Sequence, residues 1–328
     1  MNSEKDIAIS AHGLSKKFGE LVAVDGVDFE VKSGELFGFL GPNGAGKTTT
    51  INMLTGLARP DSGSIRIGSI DCIAKPRSAQ HLIGIVPDES NLYPELTGFE
   101  NLCFCASLYG IAKKERISRA MKLLEMFSLT NAKDRKFGDY SKGMKRKLTI
   151  AAGIIHEPAI LFLDEPTTGI DVSSARQLRL IIDELHRKGA TIFLTTHYIE
   201  EAERLCDRIA FIVGGRIVKT DSVSNLLQPI KNRHVVKIVC SGGLVPLGPV
   251  LKNQFTYEKT EIDSDRVLQI EDINPISVGP IIRFLEDHNV DVFEAKRIKP
   301  SLEEVFVNIT GVEIETLKKD KERAGGGK

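Results

Sequence analysis

A glycine-rich segment at residues 41–49, GPNGAGKTT, has the residue types and spacing of a phosphate-binding loop. It follows the apolar run 36–40 directly and precedes a stretch of helical character at 50–57, so the order is strand, loop, helix. Glycines let the backbone N–H groups turn inward, and the helix directs the positive end of its dipole to the same place. A glycine turn followed by a chance Gly-Lys-Thr is the alternative, which the strand-to-helix context disfavours. The predicted nucleotide-binding residues of the loop are Gly41, Pro42, Asn43, Gly44, Ala45, Gly46, Lys47, Thr48 and Thr49.

Two side chains of this loop have predicted roles in chemistry. Lys47 would supply a charge to the terminal phosphate oxygens of a bound nucleotide. The hydroxyl of Thr48 can take one position on magnesium. The loop therefore predicts a nucleotide that is bound together with its metal.

Two adjacent carboxylates, Asp164 and Glu165, follow the apolar run 160–163, which has the pattern of a buried strand. This placement lets one acid hold magnesium, directly or through water, and lets the next polarise an attacking water. A solvated Asp-Glu turn is the alternative, which the phosphate-binding loop in the same chain disfavours. We predict Asp164 as a metal ligand and Glu165 as the group that acts on water.

Two further strand-like runs end in polar residues, Asp88 after 83–86 and His197 after 191–196. In α/β sheets, ligands contact the loops beyond the carboxyl ends of the strands. A lone histidine is usually structural, but this position predicts that His197 contacts the γ-phosphate. Asp88 lies where phosphate and metal contacts are expected.

Ser141 and Phe18 carry weaker signals. Ser141 is a good N-cap for the helix that follows, and with Gly143 it would form a second anion-binding helix end. This signal alone favours an ordinary capped helix, and the acid pair at 164–165 shifts the balance toward anion binding. Phe18, just before a turn glycine, could stack on an adenine ring or pack under a hairpin. Spacing alone does not choose between these two roles.

Composition limits the class of protein. The chain has 328 residues, of which 41% are hydrophobic and 27% charged, as expected for one large or two moderate domains with a full core. Lysine plus arginine equals aspartate plus glutamate at 44 each, so there is no basic excess of the kind that marks a nucleic-acid binder. The N-terminus is too polar for a secretory signal, and no segment approaches the ~18 apolar residues of a membrane span. The five scattered cysteines suit reduced thiols in a cytosol.

The pattern predicts an α/β nucleotide-binding domain over residues 1–221, with a helical subdomain at about 90–155. Residues 7–31 read as short strands joined by turns, and 209–218 as one closing strand. Residues 222–312 are predicted to form an α+β accessory domain, and 313–328 a disordered tail. The strands expected in the accessory domain are 235–239, 267–270 and 290–293, with helices at 276–288 and from Ser301 onward.

Taken together, these motifs resemble an ABC-transporter ATPase subunit, in register across about the first 220 residues. In that resemblance, residues 41–49 are the Walker A loop and Phe18 is the aromatic residue that stacks on adenine. Residues 140–144 stand in the place of the signature motif, and 169–171 match the D-loop. Asp164 and Glu165 end Walker B, and His197 is the switch histidine. The segment PSLEEVFVNITG near the end of the chain resembles the C-terminal extension of ATPases that serve type-2 exporters, the group of drug-resistance and polysaccharide exporters.

Two positions depart from the family pattern. The family usually has glutamine in the loop after the strand at 83–86, reaching magnesium and the attacking water, whereas this chain has the shorter, anionic Asp88. The usual signature Leu-Ser-Gly-Gly-Gln reads Tyr-Ser-Lys-Gly-Met here and keeps only Ser141 and Gly143. Lys142 adds positive charge where a partner's phosphate would lie.

The resemblance implies a P-loop NTPase fold with an antiparallel β layer and a helical subdomain, and ATP and Mg²⁺ as cofactors. Lys47, Glu165 and His197 would carry catalysis, and Thr48, Asp88 and Asp164 the metal. Two copies would close head to tail, each ATP lying between one copy's Walker A loop and the signature segment of the other.

The predicted function follows from that arrangement. The chain would be cytoplasmic, peripheral on the inner face of the membrane, and would couple ATP hydrolysis to a separate transmembrane permease, as in an exporter. The alternative is a soluble ABC-type ATPase acting on nucleic acid or the ribosome. Such relatives usually carry tandem domains or a long coiled-coil insertion, and with zero net charge no nucleic-acid partner is expected. A module that senses ATP without turnover is a third possibility, which the presence of Glu165 and His197 disfavours.

Overall fold

A six-stranded sheet forms the centre of the N-terminal part of the chain. The structure, a computed structural model, describes residues 7–231, 233–298 and 301–312, so the predicted tail at 313–328 lies outside the described residues. The strands of this sheet are β3 (Leu36–Leu40), β6 (Ile83–Val86), β7 (Ile160–Asp164), β8 (Thr191–Thr196), β9 (Arg208–Val213) and β10 (Arg216–Ser222). Their order is β10-β9-β3-β8-β7-β6, and all neighbours are parallel except β9 and β10. Every residue of β3, β7 and β8 is buried, which explains their unbroken apolar runs.

The closing segment of this sheet differs from the sequence-based expectation. Instead of one strand over 209–218, the chain forms the antiparallel pair β9 and β10. Gly214 and Gly215 adopt φ values of 56° and 79°, a left-handed conformation that suits a tight hairpin. Sequence reasoning took the two flanking apolar stretches as a continuous strand.

An antiparallel sheet lies ahead of the phosphate-binding loop. Its strands are β1 (Ile7–Phe18), β2 (Leu21–Lys32), β4 (Ser62–Ile67) and β5 (Ile70–Asp71), in the order β2-β1-β4-β5. The prediction of several short strands in this region was wrong, because β1 and β2 are each 12 residues long. Register shifts interrupt their pairing near Gly13 and Gly26, which both have positive φ, so these glycines lie within bulged strands and not in turns.

Phenylalanine rings join the two sheets. Phe29 of β2 lies 5.8 Å from Phe37, 5.7 Å from Phe39 and 5.7 Å from Phe193, measured between ring centroids. Phe162 adds a further contact to Phe193 at 5.5 Å. Each such pair contributes about 0.5–1.5 kcal/mol beyond its burial. The cluster therefore fixes the antiparallel layer against the strands that position the candidate site.

Helices complete this part of the molecule. They are α1 (Lys47–Leu54), α2 (Pro76–Gln80), α3 (Gly98–Leu108), α4 (Lys113–Met126), α5 (Lys142–Ile154), α6 (Val172–Arg187) and α7 (Ile199–Leu205), and α8 (Val223–Lys231) then begins the next part of the chain. α3 begins with the predicted capping box, in which Thr97 and Glu100 each bond the other's backbone N–H. α3, α4 and α5 contact one another, so the helical segment packs as a group. No helix among the described residues is long and apolar enough to span a membrane.

The chain divides into two compact units, one ending at Val223 and resuming at Phe306, the other covering Ser224–Val305. The second unit has the order β-α-β-β-α-β of a split βαβ fold. Its elements are β11 (His234–Cys240), α9 (Leu244–Gln254), β12 (Lys259–Ser264), β13 (Val267–Asp272), α10 (Val278–Asp287) and β14 (Val292–Ile298), followed by α11 (Leu302–Thr310). The antiparallel sheet order is β12-β13-β11-β14. Buried residues of α9 and α10, such as Leu251 and Ile281, form one core with Val236 and Ile238 of β11.

Three features of the second unit differ from the expectation. α9 escaped detection because Pro246, Gly248 and Pro249 interrupt its apolar pattern. β12, with the sequence KTEIDS, is too polar to be recognised as a strand. The last strand is Val292–Ile298 and not 290–293.

α11 spans the division between the units, which the predicted domain end at 312 did not anticipate. Within the first unit, Phe306 is fully buried and packs edge to face on Phe211 of β9, with 5.2 Å between the ring centroids. The C-terminal half of α11 is therefore part of the core that holds the central sheet.

Candidate active site

The three strands that end in the predicted site residues are neighbours in the sheet. β8 lies between β3 and β7, and all three run parallel. Leu40 pairs with Thr196, and Asp164 pairs with Thr195. The phosphate-binding loop, the two acids and His197 consequently meet at one edge of the sheet, as the strand-end argument requires.

Two glycines of the loop are required by close backbone approaches. Gly46 has a φ of 101°, and a Cβ there would lie 2.4 Å from the carbonyl oxygen of Ala23. A Cβ on Gly41 would lie 2.1 Å from the carbonyl oxygen of Ile212. Because neither contact tolerates a side chain, the loop can only fold this tightly with glycine at both positions. α1 begins at Lys47, so its N-terminal N–H groups face the loop.

Lys47 is buried and folds back over its own loop. Its Nζ donates to the carbonyl oxygens of Gly41 at 2.8 Å and Pro42 at 3.1 Å. The same Nζ lies 3.2 Å from Oε1 of Glu165. The lysine thereby links the phosphate-binding loop to the acid pair. Thr48, the next residue, is exposed at the start of α1.

Glu165 is the centre of a buried polar cluster. Its Oε2 lies 2.8 Å from Nδ1 of His197 and accepts a hydrogen bond from Oγ1 of Thr168 at 3.1 Å. Its backbone N–H donates to Thr195. Burial raises the pKa of Glu165, but the hydrogen bond from His197 and the charge of Lys47 outweigh this, so the net pKa is below its ordinary value. The carboxylate is therefore ionised at neutral pH, as a group that polarises water must be.

His197 has one ring nitrogen that the protein does not satisfy. It is 4% exposed, and within the described chain no hydrogen-bond partner reaches its buried Nε2. Buried polar atoms in native proteins normally have a partner. With Nδ1 occupied by Glu165, Nε2 is the ring nitrogen left for a ligand. This orphaned atom fits the predicted phosphate contact.

Two of the predicted metal ligands, Asp164 and Asp88, lie near the same cluster. Asp164 is 3% exposed, and its Oδ1 accepts a hydrogen bond from Oγ1 of Thr195. Burial raises the pKa of Asp88. The charge of Arg146 opposes this rise, and the negative charges of Glu165 and Asp164 add to it. The described residues contain no group of three or more His, Cys, Asp or Glu able to hold a metal unaided. Mg²⁺ that is bound with a nucleotide needs only one or two protein ligands beside phosphates and water, and the carboxylates of Asp164 and Asp88 are chemically suited to such an ion.

The signature segment contacts α6 and the helical group. Ser141 caps α5 as predicted, accepting from the backbone N–H of Met144 at 3.3 Å. Gly143 is needed for packing, because a Cβ there would lie 2.3 Å from Oγ of Ser174. Tyr140, where the family has leucine, is buried and donates to the carbonyl oxygen of Ala132 at 2.7 Å. This first residue of the segment therefore anchors the helical group.

The ring of Phe18 is 54% exposed at the end of β1. Nζ of Lys16 lies 5.5 Å from the ring centroid. A ring this exposed is not packed under the β1–β2 hairpin, which was one of the two roles left open by the sequence. Its accessible face suits stacking instead.

Sequence reasoning missed Arg146, which is buried among the predicted site residues. It lies one turn into α5 and is 6% exposed. Its guanidinium donates to the carbonyl oxygens of Pro87, Asp88, Asp164 and Pro166. The sequence gives no signal for this role, because the arginine sits in the lysine-rich stretch KGMKRK, which reads as a solvated helix face.

Comparisons with known proteins agree with this geometry. The family model described as ABC transporter matches residues 24–168. The linearmycin resistance ATP-binding protein LnrL of Bacillus subtilis is 35% identical over 309 residues, covering 92% of this chain and 98% of that protein. The chain belongs to the ATP-binding proteins of ABC transporters. The Nod factor export ATP-binding protein I of Burkholderia orbicola is 35% identical over 315 residues. This match covers 94% of this chain and 98% of that protein.

A solved structure supports the fold of this ABC ATP-binding protein. The dimeric ATP-binding cassette MJ0796, in a post-hydrolysis state bound to ADP and Pi, is 26% identical with a TM-score of 0.61. The match covers 66% of this chain and 98% of that one. The chain is accordingly an ATPase with the P-loop fold predicted from the sequence. The rival assignment to a nucleic-acid or ribosome factor is not favoured by relatives that match over most of the chain.

Proposed function

We propose that this protein is the ATP-hydrolysing subunit of an exporter and that it acts with a separate transmembrane permease. The observation that carries the proposal is the match to resistance and export ATP-binding proteins over more than nine-tenths of the chain. The buried cluster of Lys47, Glu165 and His197 provides the chemistry.

In the proposed mechanism, water attacks the γ-phosphate of ATP in line, and catalysis is mainly electrostatic. Lys47 leaves its loop carbonyls to hold the terminal phosphate oxygens, which releases Oε1 of Glu165 from its 3.2 Å ion pair. Glu165 then orients or deprotonates the water. Nε2 of His197 contacts the γ-phosphate; since Nδ1 donates to the ionised Glu165, Nε2 donates only when the ring is protonated.

The magnesium that accompanies ATP would be held by Thr48, Asp164 and Asp88. It would neutralise phosphate charge during transfer. Asp164 is fixed by its bond from Thr195, and Thr48 is exposed at the start of α1 where a phosphate-bound metal can reach it. The elevated pKa of Asp88 falls when a cation approaches, which offsets the cost of its buried charge.

Two copies of the chain would close on ATP head to tail. Ser141 caps α5 and Gly143 packs against Ser174 of α6 in their own chain, and in the proposed dimer both would face the nucleotide held by the loop at 41–49 of the second copy. The N-terminus of α5 would then face the phosphates of that copy's ATP, with Lys142 adding charge. Phe18 would stack on the adenine through its exposed face.

The permease would dock on the helical group, which places the protein on the inner face of the membrane. A groove of about 510 Å³ there is lined by residues of α2, β6, α3 and α5, including Arg77, Leu108 and Tyr109. Of the groove residues, Leu108 is 69% exposed and Tyr109 37%, which leaves an apolar surface open to a partner. A helix from the permease with an apolar face would cover it.

A charge placed in the groove tests this proposal. Leu108→Glu should leave basal ATP hydrolysis within twofold of wild type, because the site lies at the sheet edge and not in the groove. It should abolish the co-purification of the membrane protein that is recovered with the wild-type chain. The matched control is Leu180→Glu on α6, a leucine that is 62% exposed outside the groove. Equal recovery of the membrane protein with both variants would reject this docking surface.

A further inference from the structure

Arg146 connects two loops of the candidate site through backbone contacts. Two of its acceptors, the carbonyls of Pro87 and Asp88, belong to the loop after β6. The other two, those of Asp164 and Pro166, flank Glu165. One planar guanidinium with five N–H donors can hold several carbonyls in fixed directions, which a single ammonium cannot do.

The Glu165 turn needs such support. Glu165 has a φ of 48°, in the left-handed region that residues other than glycine rarely adopt. A residue in that conformation persists only when its surroundings hold it there. Arg146 holds the carbonyl of Asp164, in the peptide before Glu165, and the carbonyl of Pro166, one peptide beyond it. The backbone that directs the Glu165 carboxylate is therefore restrained on either side of this residue.

Arg146 also balances charge in the cluster. Asp88, Asp164 and Glu165 all act on its buried guanidinium, and Lys47 is the other buried cation beside Glu165. In this chain an acid at position 88 replaces the uncharged glutamine usual in the family, so the site carries one more carboxylate. A guanidinium that stays charged in a buried setting offsets that addition.

The helix that carries Arg146 begins at the signature segment. Ser141 caps α5, and Gly143 packs against Ser174 one turn before Arg146. A shift of α5 against the sheet would therefore move the loop of Asp88 and the turn of Glu165 together.

We propose that Arg146 is a positioning residue that links α5 to both loops and sets the direction of the Glu165 carboxylate toward the attacking water. The inference rests on the proposed role of Glu165. A purely structural role would differ from it: loss of the arginine would lower the fraction of folded protein but leave turnover per folded molecule unchanged.

The test uses the full chain and two substitutions. Arg146→Lys keeps the charge but loses the planar guanidinium with its five N–H donors, and Arg146→Ala removes both the charge and the donors. We expect kcat of each to fall by about 10- to 100-fold, since a misplacement near 1 Å can cost about 10²-fold in rate. Affinity for a fluorescent ATP analogue should stay within threefold, because the loop at 41–49 keeps its own contacts.

Chemical rescue separates positioning from folding. Methylguanidinium at millimolar concentration should raise kcat of Arg146→Ala at least threefold and leave the wild type unchanged. The control is Arg119→Ala with the same compound. Arg119 donates to the carbonyl of Ile155 at 3.1 Å beyond the far end of α5, so no gain is expected there.

The outcomes decide between the proposals. An Arg146→Lys protein with kcat within twofold of wild type overturns the role of Arg146, and so does a fall in kcat matched by an equal fall in analogue affinity. Should Arg146→Ala fail to fold, Arg146→Lys alone decides. Glu165→Gln separates the role of Glu165 from that of Arg146. If Glu165→Gln keeps wild-type turnover, the assignment of Glu165 fails. If Glu165→Gln is inactive while Arg146→Lys has normal turnover, only the positioning role of Arg146 is rejected.

Discussion

At the scale of single residues, the site is a set of charges that balance one another before a nucleotide arrives. Lys47 is held by Glu165 and by its own loop, and Glu165 is held by His197 and Thr168. A buried ion pair of this kind costs desolvation. Because a triphosphate carries more negative charge than one carboxylate, we expect Lys47 to exchange Glu165 for the terminal phosphate oxygens when ATP binds.

Glu165→Gln should separate binding from hydrolysis. The amide preserves size but removes the charge that polarises water, so kcat should fall by about 10²-fold or more while ATP still binds. Because hydrolysis no longer ends the closed state, gel filtration with ATP and magnesium should show a dimer. Thr168→Val, which removes only one hydrogen bond to the same carboxylate, serves as the milder comparison. A monomeric variant with wild-type turnover would contradict the assignment.

Glu201 gives a prediction about pH and stability. It is 2% exposed behind the His197 loop, and Oγ1 of Thr196 donates to it at 3.0 Å. Burial raises its pKa, and hydrogen bonds from Thr167 and Thr196 offset only part of the rise. The folded chain therefore keeps this proton to a higher pH than the unfolded chain, whose glutamate pKa is about 4.3. The stabilising contribution of Glu201 is full below that value and is lost as pH rises through the folded pKa.

Glu201→Gln should consequently match the wild type in Tm at low pH and exceed it increasingly as pH rises above about 4.3. Thermal unfolding of both proteins across a pH series provides the measurement. The control is Glu200→Gln on the same helix, whose side chain is 74% exposed and pairs with Arg204, and which should show no such trend. A constant Tm difference at all pH values would mean that folding does not raise the pKa of Glu201.

At the scale of elements, features that depend on local sequence pattern could be predicted from the sequence. Features that depend on contacts between residues distant in the chain could not. Strand ends followed by Asp164 and His197 are visible in the sequence, because apolar runs and polar ends are local. Arg146 was invisible because its acceptors lie 18 to 59 positions away along the chain. α9 was missed for a different reason, since tertiary packing of Leu244 and Leu251 keeps a helix that its prolines disfavour locally.

Gly143 illustrates how an element can explain a motif residue. The sequence suggests that glycine lets a phosphate approach α5, whereas the structure shows Ser174 of α6 in that space. Gly143→Ala should therefore lower the free energy of unfolding by about 1–3 kcal/mol through overpacking, even without nucleotide. Ser174→Gly removes the clashing atoms. In the double variant it should restore the stability that Gly143→Ala loses, apart from the ~1 kcal/mol that glycine costs in a helix. Additive losses in this double-mutant cycle would show that the two residues do not compete for space.

At the scale of the whole molecule, the two units have different content. Every predicted nucleotide contact lies in the first unit, and the second is a split βαβ fold with its own core. Its sheet and helices supply packing surface but none of the predicted phosphate, acid or metal residues. We therefore expect it to act by contact, as a surface that pairs with its copy in the dimer and keeps two ATPase units at high effective concentration.

A chain truncated at Asp221 tests this expectation. The shortened protein should still bind ATP, but its specific activity should fall steeply on dilution, because the composite sites then depend on free encounter. The cut also removes Phe306, whose ring packs on Phe211 in the first unit. Truncation alone therefore cannot separate the loss of the second unit from the loss of this core contact. Phe306→Ala in the full chain provides the control: it should lower stability by about 3–5 kcal/mol while keeping the wild-type dependence on concentration. If the truncated and full chains lose activity in parallel on dilution, the second unit plays no part in dimerisation and its surface is left for the permease.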